Sequence, residues 1–362
     1  MARPANAIDF WRGFALVTIF INHIPGIAYE RFTHRNISPS DSAELFVFLA
    51  GWALRLSVSR ADRTVRTQEL VTTLTKRAFT LYTAQIVLTT LALALLATSA
   101  RALANPLLLE WHNAAAVFYD PVSAHIGLAL LTHQLGYFDI LPLYVVLMLA
   151  APAIAIVHRT MPSLLLPLSL AVYIATLVLR IDVPTWPVPG SWLFNPLAWQ
   201  LVFVLGFCLA GRDGAGGWVR RHIVALRWVC LPIVIFAALV VIFDWWPDPT
   251  RLPEPRLLFL AQKTFVTPIR LIQFLALAAV VSVAYPILAR WAGPLDSYLS
   301  MLGRNSLNVF CVGSLASLAA QVIRFTTRGE FGVDTAIVVG GIVLLGLTAW
   351  VSEWADSSSI RR

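Results

Sequence analysis

The run Ile8-Asp9-Phe10-Trp11-Arg12-Gly13, continuing through Phe14 to Asn22-His23-Ile24-Pro25-Gly26, decides how the rest of the chain is read. It is apolar enough to enter a bilayer, yet it carries an acid, a base and an imidazole. Asp9 and Arg12 are three residues apart, which makes them neighbours on a helix. Eleven steps lead from Arg12 to His23. At roughly 100° each they return to nearly the same face, with a rise of roughly 16 Å. One face of a first helix therefore presents a cation near one membrane boundary and a titratable base near the other. Ionisable groups inside a span are costly and usually functional. No small-residue cleavage pattern follows the run, so it is expected to be a permanent span rather than a signal peptide.

Working outward, the 362 residues are 58% hydrophobic and 13% charged, with a mean hydropathy of +0.75. That composition predicts an all-α, polytopic membrane protein: one integral-membrane domain over 1–362 with about ten transmembrane helices in a single bundle. The spans are expected at 8–24, 42–58, 75–97, 139–157, 163–180, 196–211, 224–244, 266–289, 303–323 and 334–353. Segments 102–118 and 121–136 are shorter and partly polar, and read as interfacial. No transporter-type internal repeat is visible. The net charge of +8 is assigned to positive-inside loops rather than to nucleic-acid binding. Cys208, Cys230 and Cys311 stand apart in apolar runs, without a second Cys or a His at ligand spacing, so no metal site is expected.

Arg55, Arg60, Arg63, Arg66, Lys76 and Arg77 crowd one loop, and Arg212, Arg220, Arg221 and Arg227 another of the same parity. Arg159, Arg290, Arg361 and Arg362 agree, against Arg31, Arg35, Arg101, Arg251, Arg256 and Lys263 on the other side. The bias puts both termini in the cytoplasm. The 55–77 cluster reads either as topology alone or as a landing site for an anionic donor. On that orientation four helix ends deliver His23, Glu44, Asp139 and Gln200 to the outer level. Arg12 and Arg304 lie nearer the inner level, the latter in Gly303-Arg304-Asn305-Ser306 at the start of the ninth span.

Each has a simpler reading. Asp41 with Glu44 makes a capping-box pattern. Asp139 with Pro142 in the first turn, and Asn195 with Pro196, read as helix N-caps. Trp199 reads as an interfacial anchor, and Arg304 as a snorkelling side chain at a turn. His34, His112, His125, His133, His158 and His222 lack the register of His23 with Arg12 and read as surface or interfacial.

No glycine-rich phosphate loop, G-x-S-x-G or H-E-x-x-H motif is present. The available chemistry is one histidine backed by carboxylates, with cations below. A histidine partnered by a carboxylate is a general base near neutral pH, suited to activating a sugar hydroxyl. The inner arginines suit a phosphate-bearing donor.

An arginine and a histidine with ten residues between them on the first span resembles the membrane acyltransferase-3 superfamily. The fuller text narrows this. Ile8-Asp9-Phe10-Trp11-Arg12-Gly13, Asn22-His23-Ile24-Pro25-Gly26, Arg35-Asn36, Ser40-Asp41-Ser42-Ala43-Glu44-Leu45-Phe46-Val47-Phe48-Leu49-Ala50-Gly51, Phe138-Asp139-Ile140-Leu141-Pro142-Leu143-Tyr144 and Gly303-Arg304-Asn305-Ser306-Leu307 resemble the OpgC family, associated with succinylation of osmoregulated periplasmic glucans. The likeness covers nearly the whole chain. One departure is Leu49-Ala50-Gly51-Trp52, where relatives commonly have Ser before Gly and Phe or Tyr after it.

The resemblance implies ten spans in a bacterial inner membrane. It implies an O-acyltransferase that takes a succinyl or other acyl group from cytoplasmic acyl-CoA, with succinyl-CoA as donor substrate and no resident cofactor. The acceptor it implies is a periplasmic glucan. By position His23 would be the catalytic residue and Arg12 its motif partner; the reading of the residues themselves adds Glu44 or Asp139 as the carboxylate that orients His23 as a base. Arg12, Arg304 and Asn305 would face the donor, and Trp199 and Gln200 the substrate. Two other classes fit the composition. A proton-coupled transporter of a small solute or glycan would use His23 and Asp139 as relays. A non-catalytic partner would scaffold glycan export.

Overall fold

The computed structural model describes residues 5–60 and 66–359. Arg63, Arg361 and Arg362 of the expected cytoplasmic set lie outside the described residues. In chain order the helices are α1 (Ala7–Asn22), α2 (Ser42–Arg60), α3 (Thr67–Ala102), α4 (Ala115–Tyr119), α5 (Pro121–Ala129), α6 (Ile140–Thr160) and α7 (Pro162–Leu179). They continue with α8 (Pro196–Ala210), α9 (Gly214–Ile242), α10 (Pro268–Val281), α11 (Ala284–Trp291), α12 (Gly293–Arg304), α13 (Ser306–Thr327) and α14 (Phe331–Ser359). The described residues form no β-strands, so the protein is all-α.

Each expected span falls on a helix, but not every one is long enough to cross a bilayer alone. Among the described residues seven helices are long and apolar enough, and α10 with α11, bent by 43°, makes an eighth if the pair is one span. α8 is apolar but has 15 residues, and α1 has 16. These two fall short of the roughly 20 residues a 30 Å core needs. Along α9 large apolar side chains, among them Trp228, Val229, Ile235 and Phe236, stand exposed. Such a face is stable against lipid and a liability in water. The protein is a multi-pass membrane protein.

The chain divides into two compact units. The first comprises 1–46, 224–245 and 273–362; the second comprises 47–223 and 246–272. In the first unit α1 packs against α12, α13 and α14, and α13 pairs with α14. The α1–α12 crossing is closed by two glycines. A Cβ on Gly13 would collide with the Leu299 backbone, and one on Gly303 with the Asp9 backbone. The pairing 13 with 299 and 9 with 303 makes the crossing antiparallel. Without a hydrophobic drive between helices in lipid, such close backbone approach is the means of association.

In the second unit α3 packs on α6, α6 on α7, and α7 on α8. The α2–α8 contact repeats the same device: a Cβ on Gly51 would strike the Phe203 backbone, and one on Gly206 that of Phe48. Gly51, the residue flanked by the departures at Ala50 and Trp52, thus serves a helix crossing.

α12 corrects the expected topology. Gly303-Arg304-Asn305 does not open the ninth span; Arg304 ends α12, Asn305 is the break, and α13 starts at Ser306. A 12-residue helix that starts at Gly293-Pro294 and carries Asp296, Ser297 and Ser300 has no long apolar run to betray it.

Candidate active site

The chemistry-bearing residues of the first unit gather at the two ends of α1. At its N-terminus Asn6 is the cap: its side-chain oxygen accepts from the Ile8 and Asp9 N–H groups, each at 3.1 Å. Its amide donates to Asp9 Oδ2 at 2.6 Å. This satisfies donors a helix start otherwise leaves orphaned. Asp9, fully buried, pairs with Arg12 at 3.8 Å. α12 arrives at the same end through Gly303 and brings Arg304 with it. Arg304 Nε donates to Glu353 of α14 at 2.8 Å, and the Asn305 amide donates to the Met301 carbonyl at 3.0 Å. Arg12 and Arg304 therefore meet at one crossing, each beside its own carboxylate.

His23 is the C-cap of α1. It is half-buried, with Nδ1 enclosed, and its N–H donates to the Ile19 carbonyl at 3.0 Å. Because α1 runs unbroken from Ala7 to Asn22, the ten-residue spacing keeps Arg12 and His23 in the expected register. The His23 carbonyl accepts from the Gln321 amide of α13 at 2.6 Å. The Pro25-Gly26 turn beyond it is gripped by Arg324, whose Nε donates to the buried Asp334 at 2.6 Å.

A polar layer surrounds this end. Thr18 of α1 hydrogen-bonds Ser42 at the start of α2, and Thr33 donates to Asn22 at 2.8 Å. Ser38 and Ser40 both donate to Gln273 Oε1, at 3.0 and 2.6 Å. Glu44 is wholly buried, and the capping box forms as the pattern predicts. The Asp41 N–H donates to Glu44 Oε2 at 3.0 Å, and Asp41 Oδ1 accepts from the Ala43 N–H at 2.8 Å. In the 24–41 connection His34 lies against the Phe14 ring. Burial lowers its pKa below 6.5, partly offset by Asp41.

In the second unit Asp139 stands at the N-cap of α6, but its side chain makes no cap bond, so the capping reading does not account for it. Asn195 does cap α8, accepting from the Leu197 N–H at 3.0 Å. Trp199 is fully enclosed, and its Nε1 donates to the Lys263 and Thr264 carbonyls at 3.1 and 3.2 Å. It is a core residue of this unit rather than an interfacial anchor, because the whole ring is packed inside the protein. Gln200 is bonded twice to Ser169 of α7, accepting from its hydroxyl at 2.6 Å and donating to its carbonyl at 2.8 Å. His133, expected to be surface or interfacial, is only 2% exposed, because the 130–139 connection folds inward there.

Sequence reasoning missed Asn6, Gln321, Arg324, Asp334 and Glu353. Asn6 carried a readable signal, an Asx residue three before an acid. Gln321, Arg324 and Glu353 act across some 50 to 300 residues of chain, where periodicity is silent, and Asp334 answers Arg324 from the next helix, ten residues on.

A search of curated proteins returned no match to the chain. The family model described as OpgC protein, by contrast, matches residues 5–357, from the cap of α1 to the last turns of α14, and the chain belongs to the OpgC family.

Proposed function

We propose that the protein is an O-acyltransferase of the acyltransferase-3 type that moves a succinyl group from cytoplasmic succinyl-CoA to hydroxyls of a periplasmic glucan. It lies in the bacterial inner membrane with both termini in the cytoplasm. Family membership implies a glucan-modifying transferase. The observation that carries the finer reading is His23 at the end of a continuous helix whose other end holds Arg12.

In this account Arg12, Arg304 and Asn305 hold the donor's phosphates and polar arm. The pantetheine arm covers the rise from Arg12 to His23, roughly 16 Å. His23, its tautomer set by Glu44, takes the proton of an acceptor hydroxyl as the oxygen attacks the thioester carbonyl. The tetrahedral intermediate expels the CoA thiolate, and the imidazolium returns the proton to it.

The test is purified protein in lipid vesicles with labelled succinyl-CoA and a glucan. Label on sugar supports the transferase. Glucan or solute uptake without label transfer supports the transporter, and neither supports the scaffold.

A further inference from the structure

The carbonyl end of α1 is held by one stripe of α13. Ser317, Gln321 and Arg324, spaced i, i+4, i+7, lie on one helical face. Ser317 donates to the Phe20 carbonyl at 3.0 Å and Gln321 to that of His23 at 2.6 Å. Arg324 donates to those of Pro25 and, at 2.9 Å, Gly26. A helix end leaves carbonyls without intrahelical partners, and in a membrane they must find donors. Here a second helix supplies donors along the segment, with His23 at its centre.

The arginine sits in a built socket. Gly26 and Gly329 both adopt positive φ, +76° and +72°. A Cβ on Gly329 would come within 2.6 Å of the guanidinium. Asp334, 2% exposed, takes its Nε. A planar fork of donors can serve one carboxylate and two successive carbonyls together, which an ammonium cannot do in fixed geometry. Beyond the turn, Tyr29 bonds Thr335 at 2.9 Å and stacks on Phe331, so the chain after His23 stays docked on the α13–α14 corner.

We infer that Gln321 and Arg324, with Ser317 behind them, are positioning residues for His23: they fix the backbone on which the imidazole stands while an acceptor hydroxyl approaches. This rests on the transferase reading for its catalytic meaning. A cap that served stability alone would lower the melting temperature and leave turnover per folded molecule unchanged. A positioning role lowers kcat in protein that is still folded, since misplacing a catalytic group by about 1 Å costs on the order of 10²-fold.

The test uses the full chain in detergent, with ring-labelled histidine and the His23 resonance assigned by its loss in His23→Gln. Gln321→Leu keeps the side chain's bulk and removes the donor. The pair Arg324→Met with Asp334→Leu removes the clamp without leaving a buried charge alone. The expected result is a displaced or broadened His23 resonance in both variants. With it, kcat for acyl transfer falls about 10²-fold, and KM changes by less than about threefold. An unmoved resonance, or a moved resonance with unchanged kcat, overturns the inference. Retention of full transfer by His23→Gln brings down the catalytic reading instead, and the resonance alone then decides whether α13 positions the ring.

Discussion

The two ends of α1 are built on different principles. At the N-terminal end the side chains are settled by charge: Asp9 lies beside Arg12 and Glu353 beside Arg304, while Asn6 ties off the first-turn amides. At the C-terminal end the bonds go to the backbone, as Ser317, Gln321 and Arg324 of α13 take up carbonyls from Phe20 to Gly26. A site for an anionic donor needs cations already oriented by acids that a phosphate can replace or join. A site for proton transfer needs a ring that does not move. The difference predicts that substitutions at the two ends change different kinetic constants.

The largest effect is expected at the histidine end. His23→Ala should insert and fold as wild type, yet lose about 10²–10⁴-fold in kcat, read by single-turnover transfer from succinyl-CoA. An effect confined to KM would erase the distinction between the ends. Gly303→Val comes next. Its side chain would overlap the Asp9 backbone, and overpacking of this kind costs about 1–3 kcal/mol or more. Fluorescence-detected size exclusion after heating should show an early melt, and a normal melt would contradict the close α1–α12 approach.

At the arginine end, Arg12→Gln paired with Asp9→Asn, so that no buried carboxylate is left alone, and Arg304→Gln should each raise the donor KM about tenfold or more and leave kcat close to wild type. That is the scale of one charge-assisted hydrogen bond, about 1.5–3 kcal/mol. Titration with a non-hydrolysable CoA thioether checks it by calorimetry. Asn6→Ala should cost about 1 kcal/mol in stability, the ordinary worth of an N-cap, with little change in either constant.

The smallest effect concerns pH. Burial holds the His34 pKa below 6.5, so the fold favours the neutral ring. The unfolded chain then binds the extra proton first. Stability from this group is complete above pH 6.5 and is lost as pH falls from 6.5 toward the depressed value. Melting temperatures at pH 7.5 and 5.5 should differ less in His34→Gln than in wild type; an equal difference would remove His34 from the acid response.

Much of this was legible before any coordinates. Every apolar run meets a helix, because hydropathy reports lipid exposure directly. The Arg12–His23 register survives because nothing between them breaks the helix, and Asp41-x-x-Glu44 forms its capping box because that signal is local. What escaped is what locality cannot carry. α12 is too short and too polar for a hydropathy window, so hydropathy puts Arg304 at the start of a span instead of the end of a helix. Trp199 looked like a membrane anchor because an aromatic near a span end usually is one, whereas its N–H serves the 263–264 carbonyls. Gln321 and Arg324 look like ordinary polar residues late in a span until α13 is seen against α1.

If His23 drives the proposed transfer, periplasmic glucans carry its product, a charge-bearing acyl group. The most direct measurement is mass spectrometry of periplasmic glucans from cells expressing the wild-type chain or His23→Ala at equal membrane levels. The account predicts succinyl-sized, negatively charged substituents with the wild type and their loss in the variant. Equal substitution in both, or none in either, would contradict it.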